Sequence, residues 1–336
     1  MSTALRLGVV GATGTLGQDL IGVLEEAALG LAELRAIAGE RSLGEHVEFA
    51  GESLPVQSGE FDLAGLDAVI LCTPSSVSLE LIRHALRVEV PCIDCSGALL
   101  SSSEVPLVMA DLGAHDGVNS APLIASPTGA TLVWAPVLSA LQREAGLVRV
   151  VGTVLHSASS EGRAGIAALS EQTLALVGQQ EILEAEPIAG PLAFSSVPHA
   201  GADSEEKDGA ALAESQLRTS LHRLLGREVA VSSSSVYVPS FAGQGGTLFV
   251  ETDRPVLLSR VATLLAASPG VEVMAEDEDM STRDAVGCDT IRVARLRVDA
   301  SASGSGSNLM FWLAADPVRL AAINALKLLR ARFSLG

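Results

Sequence analysis

Three short stretches carry residues whose types and spacing could do chemistry. "GATGTLG" sets Gly11, Gly14 and Gly17 in a G-x-x-G-x-x-G pattern directly after an apolar run. Glycines so spaced permit a tight turn, close approach of backbone to a pyrophosphate, and close packing of helix on strand. "SPTGATLVWAPVL", Ser126 to Leu138, reads as a tight turn opening into an apolar helix. A helix N-terminus offers unpaired N–H groups and a partial positive charge, which suit an anion or an activated nucleophile. This turn supplies only Thr128, Gly129, Ala130 and Thr131, so it is either a reactive turn without its reactive atom or a plain helix cap. "VPCIDCSG" places Cys92 and Cys95 as C-x-x-C beside Asp94. The pair reads as a redox couple or as two reduced thiols that happen to be close.

The elements around these stretches form two patterns. Over the first 125 residues strands and helices alternate: "LRLGVVGA", "TLGQDLIGVLEEAA", "LAELRAIAG", "DAVILCTP", "SVSLELIRHALRVE" and "VPCIDCSG". Such alternation predicts right-handed βαβ units and a parallel sheet covered on both faces. Beyond the Ser126 turn the strands lengthen and become rich in Val and Ser, as in "LVRVVGTVLHSAS", "REVAVSSSSVYVPSFAG", "GGTLFVETDRP" and "DTIRVARLRVDASAS". They predict an α+β second domain with a mixed or antiparallel sheet. "SEEKDGAALAESQLRTSLHRLLG" reads as a helix with an acidic start and a basic end. "VEVMAEDEDMSTRDAVG" reads as an acidic solvated loop, "SASGSGSN" as a flexible turn, and "DPVRLAAINALKLLRARF" as an amphipathic helix returning to the first domain. The expected division is a dinucleotide-binding domain of residues 1–128 with 316–336, and an α+β substrate and dimerisation domain of residues 129–315.

Composition narrows the partners. The chain has 336 residues, 48% of them hydrophobic, and a formal net charge of -18. Nucleic acid and anionic membranes both need a basic surface, so neither is expected as a partner. No apolar run is long enough for a membrane span, and "MSTALRLGVVGATG" shows no signal-peptide pattern. A reduced, cytoplasmic protein is the expectation.

The nucleotide turn sits in the strand–turn–helix context that a dinucleotide requires. The second strand ends in "AGERSLG", without the Asp or Glu that would accept from an NAD ribose. Arg41 and Ser42 sit where a 2′-phosphate would be held, which favours NADP, although Glu40 beside them opposes that charge. The expected cofactor-contacting residues are Gly11, Thr13, Gly14, Thr15, Leu16, Gly17, Arg41, Ser42, Thr73 and Ser96.

"GATGTLGQDL", "GERSLG", "IDCSGALL", "VPLVMADLG", "SPTGATLV", "SASSEGRAG", "VPSFAGQGG" and "ADPVRLAAINAL" occur in one order over nearly the whole chain. Together they resemble the aspartate-semialdehyde dehydrogenase family. The resemblance implies a Rossmann domain plus a dimerising α+β domain, and NADPH-dependent reduction of L-aspartyl 4-phosphate to the semialdehyde through a cysteine thioester. It also implies a homodimer.

That chemistry requires a thiolate, a general base, and arginines for phosphate and carboxylate. The resemblance places Gly129 at the nucleophilic cysteine and Gln244, in "YVPSFAGQG", at the catalytic histidine. Tyr237 falls at the arginine that binds the substrate carboxylate, and Leu100, in "CSGALL", at a phosphate-binding arginine. Glu214 is kept in the substrate helix while Gln216 takes the lysine's place, and His156 replaces a substrate-binding glutamine. Losing one phosphate-pairing arginine would cost roughly 2–4 kcal/mol of binding; losing the nucleophile removes the covalent route.

Other residues also carry groups capable of chemistry. Cys95 reads as a relocated nucleophile or a small packing residue, and His156 as a base near Thr128 or Ser159 or a hydrogen-bonded structural histidine. His199 reads as positional, and Asp94 as a cap or orienting group. The leading expectation is a dimeric member without the family's catalysis that keeps an NADP site. The alternatives are an NADP-dependent oxidoreductase acting on another carbonyl by direct hydride transfer, with His156 as proton donor, and a nucleotide-free dimeric scaffold. No metal is expected.

Overall fold

The computed structural model describes residues 5–58, 62–113, 118, 120–181, 186–188, 190–198, 209–275, 278, 280–300 and 306–335. The chain forms two compact units, residues 1–128 with 321–336, and residues 129–320.

In the first unit the apolar runs form strands β1 (Leu5–Val10), β2 (Leu31–Ile37), β5 (Ala68–Leu71), β6 (Cys92–Asp94) and β7 (Leu123–Ala125). They make one parallel sheet in the order β2-β1-β5-β6-β7. Helix α1 (Thr15–Glu26) buries Leu20, Ile21, Val23 and Leu24, while α2 (Ser75–Arg87) buries Ile82 and Ala85. A hairpin of β3 (His46–Phe49) and β4 (Glu52–Pro55) follows β2. The order reverses at β1, so the crevice where α/β folds collect ligands lies beyond the carboxyl ends of β1 and β5. Ala322, Ala325, Leu328 and Leu329, from the last helix, join the core of this unit. Asn324 ties them in, donating to Val108 O and Ser126 Oγ while accepting from Ala110 N.

The second unit centres on a mixed sheet ordered β12-β13-β14-β11-β8-β10-β9. Its strands are β8 (Leu147–His156), β9 (Val197–Pro198), β10 (Ala230–Tyr237), β11 (Gln244–Thr252), β12 (Val271–Val273), β13 (Ile291–Val298) and β14 (Asn308–Ala315). Helices α3 (Ala130–Ala145), α5 (Leu212–Leu225) and α6 (Leu258–Ala266) pack against it. The remaining helices are α4 (Gly162–Val177) and α7 (Pro317–Phe333). The α/β parallel sheet and the α+β mixed sheet are those expected.

One expectation is corrected. The acidic stretch from Val271 is not loop throughout: Val271–Val273 is an edge strand pairing in parallel with Ile291–Val293. Its short β-branched start outweighs the acidic residues after it. His199, the start of the "SEEKDG" helix and most of "SASGSGSN" lie outside the described residues. No helix among the described residues is long and apolar enough to cross a membrane.

Candidate functional site

The glycine turn is built from the end of β1. Gly11 N and Ala12 N both donate to Ile37 O, and Gly14 N donates to Gly11 O, which pins the turn to β2. Gly11 has φ +87, and a Cβ there would lie 2.6 Å from Cys72 O. A Cβ on Gly17 would collide with the Gly11 carbonyl, and one on Gly14 would come within 3.2 Å of it. Helix α1 follows with Gly14 as N-cap and no side-chain cap, so no capping side chain takes up its first N–H groups. Thr15 Oγ1 is buried with no hydrogen-bond partner among the described residues. An anion at this N-terminus would meet both. The donor set and the close backbone therefore fit a dinucleotide pyrophosphate.

Arg41 and Ser42 occupy a single 3₁₀ turn, Glu40–Ser42, just after β2. The Ser42 hydroxyl is 2.8 Å from Thr13 Oγ1, so the glycine turn and this turn are hydrogen-bonded to each other. Arg41 and Glu40 are exposed. Thr73 follows β5 and shares a hydrogen bond with Ser78 at 2.7 Å. Ser96 follows β6, where its N–H and hydroxyl both donate to Asp94 Oδ1, at 3.0 and 2.5 Å. Asp94 is buried, which pushes its carboxyl above the usual range against those two bonds.

The cysteines are quiet. Burial pushes the Cys72 thiol up to about 12 and raises Cys92 and Cys95 as well. Thiols held protonated in this way are poor nucleophiles near neutral pH. Cys72, Cys92, Cys95 and Cys288 are all free. No cluster of His, Cys, Asp and Glu able to hold a metal occurs among the described residues. Leu100 is buried, and its Cδ1 lies 3.4 Å from where a Gly97 Cβ would stand.

The Ser126 turn has the form of a strand–turn–helix elbow. β7 ends at Ala125, and the 16-residue helix α3 begins at Ala130 with Gly129 as its N-cap. Gly129 has φ +50 and ψ −129, a conformation that a strained nucleophile position also takes. A Cβ at Gly129 would meet no atom within 4 Å. The turn thus keeps the bend and the room for a side chain, with no side chain in it.

Three neighbouring strands of the second unit place Gln244, His156 and Tyr237 side by side. Tyr237 pairs with His156, and Gly245 pairs with Leu155, which brings Gln244 next to His156. All three are buried. Gln244 Nε2 lies 3.5 Å from His156 Nδ1, and Ser235 Oγ lies 3.2 Å from Nε2. With the amide donating to Nδ1, the ring proton sits on Nε2 and goes to Ser235. Burial lowers the His156 pKa to about 4, so the ring is neutral near pH 7. Gln244 Oε1 is buried without a partner among the described residues. The Tyr237 hydroxyl donates to Glu161 Oε1, and its ring tilts against His156 at 5.9 Å.

Glu214 is the third residue of α5 and takes Ala211 N on Oε2, while Ser235 N donates to Oε1 at 2.7 Å. Gln216 lies two residues on, on the same helix. His156, Ser235 and Glu214 are therefore one connected network. Ser159 shares a hydrogen bond with Ser157 instead. Sequence reasoning did not single out Ser235 and Glu161. The alternation of buried and exposed residues in "AVSSSSVY" marks Ser235 with Tyr237 on one face, but nothing local marks Glu161.

The model of the semialdehyde dehydrogenase NAD binding domain matches residues 6–119, and that of the semialdehyde dehydrogenase dimerisation domain matches residues 138–320. An aspartate-semialdehyde dehydrogenase of Streptomyces akiyoshiensis is 31% identical over 339 residues, covering 96% of this chain and 97% of its own. One from Rickettsia typhi is 28% identical, covering 98% and 97%. The solved structure of aspartate semialdehyde dehydrogenase II complexed with ASA, from Vibrio cholerae, superposes with a TM-score of 0.91. It is 27% identical and covers 98% of each chain.

Proposed function

From the premise that this chain belongs to the semialdehyde dehydrogenase family, we propose that it is a member without the family's catalysis, an NADP-binding homodimer. The observation that carries this reading is Gly129. Its position in the elbow before α3 has the bend and the space for a reactive side chain, and supplies no atom that could be acylated.

The residues at the other positions that the resemblance marks point the same way. Gln244 cannot exchange a proton near neutral pH, and His156 is neutral with both ring nitrogens in contact with Gln244 and Ser235. Tyr237 donates to a carboxylate, Glu161, and so offers no cation to a substrate carboxylate. Leu100 is buried and apolar.

The nucleotide half fits a ligand. Gly11, Gly14, Thr15 and Gly17 would hold the pyrophosphate, and Arg41 with Ser42 the 2′-phosphate. Bound NADP supplies a hydride-accepting nicotinamide; this chain's own part is to bind and orient it. Calorimetric titration tests the reading. Saturable binding of NADP, tighter than that of NAD, is expected. No binding of either would overturn the nucleotide half and favour a plain scaffold.

A further inference from the structure

The glycine turn and the turn after β2 meet at one corner. Gly11 N and Ala12 N anchor the glycine turn to Ile37 O at the end of β2, and the Glu40–Ser42 turn lies just beyond it. The second turn closes on itself: Ser42 N donates to Gly39 O, Leu43 N to Glu40 O and Glu45 N to Ser42 O. A side-chain bond then joins the two turns, Thr13 Oγ1 to Ser42 Oγ at 2.8 Å, across 29 positions of sequence.

Burial separates the residues of this corner. Thr13 and Ser42 are 7% and 8% exposed, whereas Glu40 and Arg41 stand in solvent. Arg41 brings its charge on a long side chain that must be ordered on binding, in water that screens it, and Glu40 beside it offsets part of that charge. The Ser42 hydroxyl is different. Its turn and its bond to Thr13 hold it in place before any ligand arrives.

A hydroxyl pair also has a direction. When Ser42 donates to Thr13, its proton is engaged within the protein. When Thr13 donates to Ser42, the Ser42 proton stays available, and the chain of two donors strengthens it. A dianionic phosphate only accepts hydrogen bonds, so it selects the second direction. A ribose 2′-hydroxyl both donates and accepts, so either direction serves it.

We propose that Thr13 is a positioning residue for NADP over NAD: it fixes Ser42 as a donor to the 2′-phosphate and does not itself hold the cofactor. The inference rests on the nucleotide half of the reading above. It differs from the expectation from sequence, in which Thr13 contacts the cofactor directly.

Calorimetric titration of the full chain with NADP and with NAD tests this, using Thr13→Val, Thr13→Ser, Ser42→Ala and the Thr13→Val, Ser42→Ala double variant. Valine keeps the shape of threonine without its hydroxyl, so circular dichroism should match wild type. Thr13→Val should weaken NADP by about 5- to 20-fold and leave NAD within about twofold, and Thr13→Ser should restore most of the loss. The double variant should bind NADP no more than about twofold worse than Ser42→Ala, because Thr13 acts through Ser42. Equal losses of NADP and NAD in Thr13→Val would mean that Thr13 only supports the glycine turn. Additive losses in the double variant would mean that it acts apart from Ser42. Either result overturns the inference and leaves the nucleotide reading standing, whereas a wild type that binds neither cofactor overturns both.

Discussion

Replacing Gly129 by alanine separates backbone conformation from space. The added Cβ would meet no atom within 4 Å, so no packing term opposes it. The cost lies in holding an L-residue at φ +50 and ψ −129, roughly 1–3 kcal/mol. The stiffer unfolded chain returns about 0.4–1 kcal/mol, leaving a net destabilisation of about 0.5–2 kcal/mol. Gly22 provides the control. It also has nothing within 4 Å of an added Cβ, but it lies inside α1 without a positive φ. Alanine there should stabilise by roughly 0.5–1 kcal/mol. Urea unfolding followed by circular dichroism, and by emission of Trp134 on α3, gives both midpoints. Equal, stabilising shifts for the two variants would refute the strained-elbow account.

Four further outcomes are expected. Gly17→Ala drives a Cβ into the Gly11 carbonyl and should abolish NADP binding in a calorimetric titration, whereas Arg41→Ala should weaken NADP by roughly 10- to 100-fold and leave NAD unchanged. His156, lowered to about 4 by burial, should cost stability as pH falls from its unfolded value near 6.5 through 4, about 3 kcal/mol in all; His156→Asn should flatten that part of a pH–stability profile. The sign follows because the unfolded imidazole takes up its proton first. Asn324→Ala leaves the partners at Ala110, Val108 and Ser126 short of a bond and should cost about 2–4 kcal/mol, read from the urea midpoint. Gly129→Cys with Gln244→His should give a thiol that titrates with a disulfide reagent, yet no turnover on aspartate semialdehyde, because Leu100 and Tyr237 still bind no anion.

Much of the fold was legible because its signals are local. The alternation of apolar runs and amphipathic helices marks the parallel sheet, and the glycine spacing marks the turn after β1. β14 was not legible. Its run "NLMFWLAA" is apolar on both faces, since Leu309, Phe311 and Leu313 enter the core while Met310 and Trp312 line the open side. Alternation therefore gives no signal there. The turn at Gly129 was legible as a cap, but its φ and ψ were not, because a glycine permits both signs. The His156 network was hidden for another reason. It joins residues 88 positions apart through the register of three strands, and register is a tertiary property.

The most direct test of the central claim is the absorbance at 340 nm of protein shown to bind NADP, mixed with aspartate semialdehyde, phosphate and NADP. The account predicts no rise above the protein-free blank at any protein concentration. A sustained rise proportional to protein, lost on removing phosphate, would contradict it.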